Sequence, residues 1–389
     1  MKIAINIEHF IEAKGGAERY VIGLANSLAE KGHDLHILAN SWYEGCEKDF
    51  RCHRIPLSLF RTLRDIKFAR ETQNKLLEEK FDLSLSFGRS LKSDIYQPHG
   101  GVHRAYLERE LKSVSTPFLR IIKFLLQTIS LRHLLIKRIE KVIFSRQNLI
   151  VVAISEMVKR DIISFYSFPE ERIRVIHNGV DLEKFNIDKK EEYRKEIRNR
   201  YLLNDKDFFI LFVANNFRLK GLRNLIRAVS LMKKNMNSEN SFQVFILGNG
   251  RRTLFERLAT RLGCKNEFQF IGSTGNMEKF YAAADVLALP TFYDPCSLTT
   301  LEAMASGLPV ITSTCNGAAE LVENGVHGFV LDDPENHVEL SEKLMLFFDR
   351  HLRDQMGANA RRKIENFPSQ KNTREMLLLC EEISGNKKD

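Results

Sequence analysis

Hydrophobic positions along the chain fall into two alternating series. In the first, Ile3–Ile7 is a short apolar run. After Lys14-Gly15-Gly16-Ala17-Glu18-Arg19 come Tyr20, Val21, Leu24, Ala25 and Leu28 at helical spacing, stopped by Lys31-Gly32-His33. Leu35–Ala39, Phe81–Phe87 and Leu149–Ile154 read as further strands. Strand–helix–strand order of this kind predicts a mostly parallel, doubly wound α/β sheet. The second series begins at Phe208–Ala214. It runs through Phe242–Leu247, Glu267–Ile271, Val286–Pro290, Leu308–Thr312 and Gly328–Leu331. Between them, Glu183–Lys206 is highly charged without a strong apolar face and reads as a connection. The expected organisation is therefore residues 1–182, a linker at 183–206, and 207–369. A terminal helix at about 370–389 is expected to pack back on the first domain.

The stretch Arg104–Arg146 breaks the alternation. It holds ten Lys or Arg against three Glu. Phe118, Ile121, Ile122, Leu125 and Ile129 share one helical face, and Arg120, Lys123, Gln127 and Ser130 the opposite one. A basic amphipathic helix either lies at a membrane surface or packs its apolar face on a core. Under the first reading, Arg120, Lys123, Arg132, Lys137 and Arg138 meet an anionic membrane.

Composition narrows the picture modestly. A chain of 389 residues, 43% hydrophobic and 28% charged, is globular and long enough for two domains. A net charge of +9 suits an anionic partner. The six cysteines form no C-x-x-C pair, which argues against a zinc or redox motif of that type and for a reducing compartment. Met1-Lys2-Ile3-Ala4-Ile5-Asn6-Ile7-Glu8 reads as a first strand rather than a signal peptide. A cytoplasmic protein on the inner face of the cytoplasmic membrane is expected.

Candidate chemistry concentrates in the second series. After the strand ending at Pro290, a polar loop carries Asp294, and Ser297–Ser306 reads as a helix stopped by Gly307-Leu308-Pro309. Open α/β sheets bind ligands at the carboxyl ends of their strands. Two carboxylates there, Asp294 and Glu302, suit the vicinal hydroxyls of a sugar and a ribose. Phe217-Arg218-Leu219-Lys220-Gly221 follows the first strand of this series. Its two cations suit a diphosphate that gains charge as it departs. Leu247-Gly248-Asn249-Gly250 and Ile271-Gly272 are strand-end glycine turns, as apt to be plain turns as ligand contacts. In the first series, Gly15-Gly16 precedes a helix N-terminus, where phosphate is attracted, and Gln97-Pro98-His99-Gly100-Gly101 follows a strand-like segment.

The segment from Asp285 to Val310 resembles the donor-site signature of the retaining glycosyltransferases of family 4, which have the GT-B fold of two Rossmann-like domains facing each other across a cleft. That family usually has Glu where this chain has Asp294, with Asp an accepted variant. The resemblance extends over nearly the whole chain. It takes in the Lys14–Arg19 loop, Asn178-Gly179-Val180-Asp181 with Phe185, and the Arg218/Lys220 pair. It implies transfer of a sugar from a nucleoside-diphosphate sugar, UDP-linked by expectation, to an acceptor hydroxyl. It also implies Arg218 and Lys220 on the diphosphate, and Asp294 and His99 at the sugar. Glu302 would hold the ribose, with Gly15, Gly16, Lys184, Gly248, Gly272, Ser297, Leu298 and Thr299 about the donor. No metal or other cofactor and no nucleic-acid partner enter this scheme. The opening sequence and Ser41-Trp42-Tyr43-Glu44-Gly45-Cys46 are similar to the lipopolysaccharide-core glucosyltransferases, which implies a glycolipid acceptor. A transferase making a soluble glycoside or capsule precursor, and a nucleotide-sugar epimerase on the same fold, are the rival readings.

Overall fold

The computed structural model describes residues 1–236 and 240–385. The chain divides into two compact units. One comprises residues 1–177 with the C-terminal segment from Gln370, the other Asn178–Ser369.

The first unit is built on seven parallel strands. They are β1 (Lys2–Asn6), β3 (Asp34–Ala39), β5 (Arg51–Arg54), β6 (Leu83–Ser86), β7 (Ile95–Tyr96), β8 (Ile150–Ala153) and β9 (Ile173–Val175), with the short pair β2 (His9–Phe10) and β4 (Ser41–Trp42) as a separate ribbon. The order is β5-β3-β1-β6-β7-β8-β9, and β1 pairs with β3 from Lys2↔Asp34 to Asn6↔Leu38. Ile3, Ile5, Leu35, Ile37, Leu83 and Leu85 are buried against Val21, Leu24 and Leu28 of the helix Gly16–Glu30. The helix Ser369–Gly385 adds Met376, Leu377, Leu379 and Cys380 to the same core.

The second unit carries β10 (Phe208–Val213), β11 (Phe242–Leu247), β12 (Phe268–Gly272), β13 (Val286–Ala288), β14 (Val310–Ser313) and β15 (Gly328–Leu331), in the order β12-β11-β10-β13-β14-β15. All its pairings are parallel. Phe208, Ile210, Phe212, Val244, Ile246, Val286 and Ile311 are buried with Leu225 and Val229 of the helix Leu222–Asn235. Both faces of such a sheet are covered, which is why its strands read as near-continuous apolar runs.

The charged stretch expected to connect the domains is instead part of the second unit. Lys190–Arg200 is a helix. Beside the buried Ile197, its main contacts are ionic: Asp285, just before β13, accepts from Arg194 at 2.9 Å, from Arg198 at 2.7 Å and from the Phe209 amide at 2.7 Å, and Arg353 lies 3.7 Å away. Arg198 is only 2% exposed. A helix that buries guanidinium groups on a carboxylate shows no apolar face, and so resembles a linker in sequence. The helix Met277–Ala283 packs beside it.

The basic stretch forms three helices, His103–Lys112, Pro117–Ile129 and Leu131–Phe144. In the middle one, Phe118, Ile121, Leu125 and Ile129 are 71%, 60%, 55% and 72% exposed, whereas Gln127 is buried and donates to Glu110 at 3.0 Å. The polar face is turned inward and the apolar face outward, so the apolar face does not pack on the unit's own core. Three of the five cations expected to meet a membrane are engaged within the unit. Arg120 donates to the carbonyls of Val114 and Lys112, Lys123 pairs with Glu110 at 2.7 Å, and Arg132 pairs with Asp65 at 3.3 Å. Lys137 is half-buried and Arg138 exposed. Among the described residues no helix is long and apolar enough to cross a membrane.

Candidate functional site

In the second unit, the expected chemistry gathers where β10 and β13 end. Gly221 caps the helix Leu222–Asn235 with φ +83°, and a Cβ there would stand 2.0 Å from the Pro290 carbonyl oxygen. Only glycine allows this approach of the loop after β10 to the loop after β13. The two loops are then stitched together: Phe292 N–H donates to Leu219 O at 2.8 Å, and the Thr291 hydroxyl to the same oxygen at 3.3 Å. That places the Lys220 ammonium 2.5 Å from Asp294 Oδ2 and 3.1 Å from Tyr293 O. An ammonium has three N–H donors, so one remains for a further oxygen. Lys220 and Asp294 are both largely withdrawn from solvent, with side-chain exposures of 18% and 15%. Arg218 is exposed on the same loop.

Asn316 fixes the loop that carries Asp294, and its side chain saturates its hydrogen-bonding capacity. Oδ1 accepts from the amides of Ser297 (3.2 Å) and Ala318 (3.0 Å), and Nδ2 donates to the hydroxyls of Thr300 (3.1 Å) and Thr312 (2.9 Å). The Asp294 backbone bonds to Cys315 O and Gly317 N, and the Ser313 hydroxyl donates to Thr291 O at 2.5 Å. Ser297 caps the helix Leu298–Ala305, accepting from the Thr300 amide. Leu298 and Thr299 form its half-buried first turn, whose amides precede any intrahelical acceptor. Glu302 lies a turn further on, where Tyr281 donates to its Oε2 at 2.9 Å. Phe185 packs edge-on to Tyr281 with centroids 5.7 Å apart, and the exposed Lys184 lies over the Phe185 ring. Lys184 is thus linked to Glu302 through two aromatic rings.

The neighbouring strand ends carry the glycines. Gly248 has φ +117°, and a Cβ there would stand 1.9 Å from Ala214 O, so this glycine holds β11 against the end of β10. Its amide donates to Gly272 O at 2.8 Å, which draws the end of β12 to the same place. At Gly272 no atom lies within 4 Å of where a Cβ would be.

In the first unit, His99 follows β7. Its ring lies 4.8 Å from that of Tyr20 and 5.7 Å from that of Phe87. Burial pushes its pKa down to about 4, so the imidazole is neutral at pH 7. His99 Nε2 is buried without a hydrogen-bond partner, and the buried Tyr20 hydroxyl interacts with the buried Gln97 side chain. Burial also raises the Tyr20 phenol. Gly15 is the extended N-cap of the helix beginning at Gly16 (φ 170°), and the Glu18 carboxylate lies 2.7 Å from where its Cβ would be. Arg19 pairs with Glu12 at 3.2 Å.

Asn316, Tyr281 and Gln97 were not expected from the sequence. Asn316-Gly317 after a strand is a turn signal, and that signal locates the Asn316 loop. Nothing in the sequence marks Tyr281 or Gln97.

Comparison with known proteins agrees with this geometry. Residues 14–184 match the model of glycosyltransferase family 4, and residues 193–363 that of the glycosyl transferases group 1. The lipopolysaccharide glucosyltransferase WaaG of Escherichia coli is 22% identical over 332 residues, 85% of each chain. An uncharacterised glycosyltransferase of Methanocaldococcus jannaschii is 32% identical over 181 residues, and there the chain spans about half of its relative, 45% of that protein's length. The crystal structure of WaaG superposes with a TM-score of 0.81 at 21% identity, covering 97% of this chain and 99% of that one. Anabaena HepE in complex with UDP-glucose gives a TM-score of 0.72 at 18% identity, with coverages of 97% and 99%. The chain belongs to the glycosyltransferases that join a family 4 domain to a group 1 domain, and its fold is GT-B.

Proposed function

We propose that the protein moves a sugar from a UDP-sugar to the hydroxyl of a membrane glycolipid of lipopolysaccharide-core type, with retention at the anomeric carbon and without a metal. The observation that carries this reading is the Lys220–Asp294 pair at 2.5 Å, held where two strand-end loops are stitched together. The third N–H of Lys220 meets a phosphate oxygen, with Arg218 beside it, as the diphosphate gains charge in the transition state. The anomeric C–O bond to phosphate breaks. The bond to the acceptor oxygen forms on the same face, and the acceptor proton passes to a diphosphate oxygen. Asp294 orients the sugar, Glu302 holds the ribose, and the first-turn amides of the Ser297-capped helix and Lys184 support the phosphates. Gly248 and Gly272 line the nucleotide side. The roles of neutral His99 at the sugar and of Gly15-Gly16 at the diphosphate rest on the family resemblance.

The outward apolar face of Pro117–Ile129 favours a membrane acceptor over a soluble one. It makes the helix an interfacial element that inserts apolar side chains, with Lys137 and Arg138 as its nearby cations. HepE, solved with UDP-glucose, and WaaG, named for a lipopolysaccharide substrate, support the donor and acceptor classes.

The decisive experiment is a screen of UDP-, GDP- and ADP-sugars by thermal shift and turnover, with the product anomer read by NMR and chelator in a parallel arm. A UDP-sugar should stabilise and turn over, undiminished by chelator, to a product of unchanged anomeric configuration. Preference for another nucleotide, inversion, or loss of activity with chelator at an unchanged melting temperature would each overturn the corresponding part. Product formed without acceptor would mark an epimerase. Vesicles of anionic lipid should bind the wild type and not Leu125→Glu; equal binding of both would refute the membrane contact.

A further inference from the structure

A second cluster of ligating groups lies in the first unit. His36 stands near the start of β3, His53 on the adjacent β5, and Glu79 just past the helix Arg64–Glu78. His36 Nδ1 is 2.7 Å from His53 Nε2 and 3.5 Å from Glu79 Oε2, and all three ligand atoms lie within 4.8 Å of one another. The other nitrogen of His36, Nε2, faces the Asp34 carboxylate at 3.4 Å. His36 is 2% exposed, and Glu79 Oε2 is buried with no hydrogen-bond donor.

We infer that His36 Nδ1, His53 Nε2 and Glu79 Oε2 form a binding site for a divalent transition metal of the zinc class, with Asp34 as the carboxylate that orients His36. Two imidazoles and a carboxylate are a ligand set for zinc, which takes nitrogen at about 2.0–2.1 Å, so that tetrahedral ligand atoms stand about 3.3 Å apart. The His36–Glu79 separation is already close to that value. The two rings are parallel within 10° with centroids 5.0 Å apart, so their nitrogens face each other; a bound metal requires their separation to open by about half an ångström and the less buried His53 ring to tilt. Metal-bound histidines commonly give their other ring N–H to a carboxylate, which fixes the tautomer, and Asp34 stands where that requires. A metal would also give Glu79 Oε2, which has only long ionic neighbours, a close partner. Two cations compete for this carboxylate, Lys2 at 3.6 Å and Lys75 at 3.8 Å, both long for ion pairs. Arg51 lies 3.3 Å from Asp34 on the far side. Binding at the site therefore displaces long ion pairs and breaks the 2.7 Å hydrogen bond between the two rings.

The location indicates the role. His36 lies near the amino ends of the strands, whereas open α/β sheets bind their substrates at the carboxyl ends. The metal would clamp β3, β5 and a helix terminus, and so stabilise the unit rather than react.

The test is titration of the chelator-treated full-length protein with cobalt(II), followed by visible absorption, with zinc as competitor. The wild type should show tetrahedral cobalt bands at one equivalent, bleached by zinc, and zinc should raise its melting temperature. His53→Gln and Glu79→Gln should each lose the bands and the zinc-dependent shift. Asp34→Asn should keep them at affinity weakened about 10–100-fold. UDP-dependent thermal stabilisation, measured in parallel, should be the same in all of them and shows that each variant is folded. Absence of bands in the wild type, or bands and shifts that persist in both ligand variants, would overturn the site.

Discussion

The two sheets end in different kinds of polar cluster. At the carboxyl end of β13 the polar side chains satisfy one another: Asn316 makes four side-chain hydrogen bonds, and Thr291, Ser313 and Lys220 bond to the carbonyls around them. Beyond the end of β7, Tyr20, Gln97 and His99 bury hydroxyl, amide and imidazole atoms with few partners: the Tyr20 hydroxyl interacts with the Gln97 side chain, and His99 Nε2 is unpaired. An unmade buried hydrogen bond costs about 1–3 kcal/mol, while a made one contributes only about 1. One cluster is therefore rigid before any ligand arrives, and the other stores an unmet demand that a hydroxyl-rich ligand can meet. Preorganisation belongs where charge develops, because donors already in place need no reorganisation during reaction. Unmet demand suits selection of a polar ligand, since a site with unpaired groups rejects analogues that leave them unpaired.

This contrast can be broken at four points. Lys220→Ala should lower kcat by about 100- to 1000-fold, the usual effect of removing one preorganised donor, and also lower the melting temperature, because the Asp294 carboxylate loses its ion-pair partner. Activity within about threefold of wild type would remove the β10–β13 cluster from catalysis. Asn316→Ala should cost roughly 3 kcal/mol in denaturant unfolding, because amides and hydroxyls that it satisfies are left buried. A loss below about 1 kcal/mol would mean that the loop does not depend on it.

The third test is pH. Burial holds His99 at about 4, and burial followed by the nearby Arg89 charge holds His103 at about 3. Both lie below the unfolded value near 6.5. As pH falls below 6.5 the unfolded chain takes up protons that the folded one refuses. The stability these two groups contribute is thus present above 6.5 and is lost progressively towards pH 4, by roughly 6 kcal/mol in total. A flat unfolding free energy from pH 7 to 5 would contradict this, and His99→Gln together with His103→Gln should make the slope shallower, with His36, His53 and His133, also lowered by burial, keeping part of it. The smallest effect is expected at Gln97. Gln97→Leu should shift stability by about 1 kcal/mol or less, because only its interaction with Tyr20 is lost, yet it should raise KM for donor or acceptor. A large loss of stability would show that the amide has further partners.

The sequence made the second sheet plain because its strands are covered on both faces. Phe208–Val213 is six apolar residues without interruption, and a run bounded by turns carries a clear signal. The first sheet was read only in part. Arg51-Cys52-His53-Arg54 is an edge strand of mixed polarity, and Ile95-Tyr96 is too short to show a period. The helix Pro117–Ile129 shows a subtler limit. Periodicity separated its two faces correctly, but it carries no sign for which face turns outward. That choice depended on Glu110, ready to receive Gln127 and Lys123 from a neighbouring helix. Lys190–Arg200 was misread because its packing is electrostatic. Asp294, Lys220 and Glu302 were legible as residues, whereas their geometry depends on Gly221 and Asn316, whose importance lies in distances that no local pattern records.

The helix Ser369–Gly385 returns to the first unit after the whole second unit has been traversed. In order of synthesis, the second sheet and its core are complete while the first still lacks Met376, Leu377, Leu379 and Cys380. On a ribosome that adds about 5–20 residues per second, the half that begins first closes last. A chain cut short before that helix would present a finished group 1 domain beside an open-sided partner, and quality control would meet it as apolar surface on the family 4 side alone.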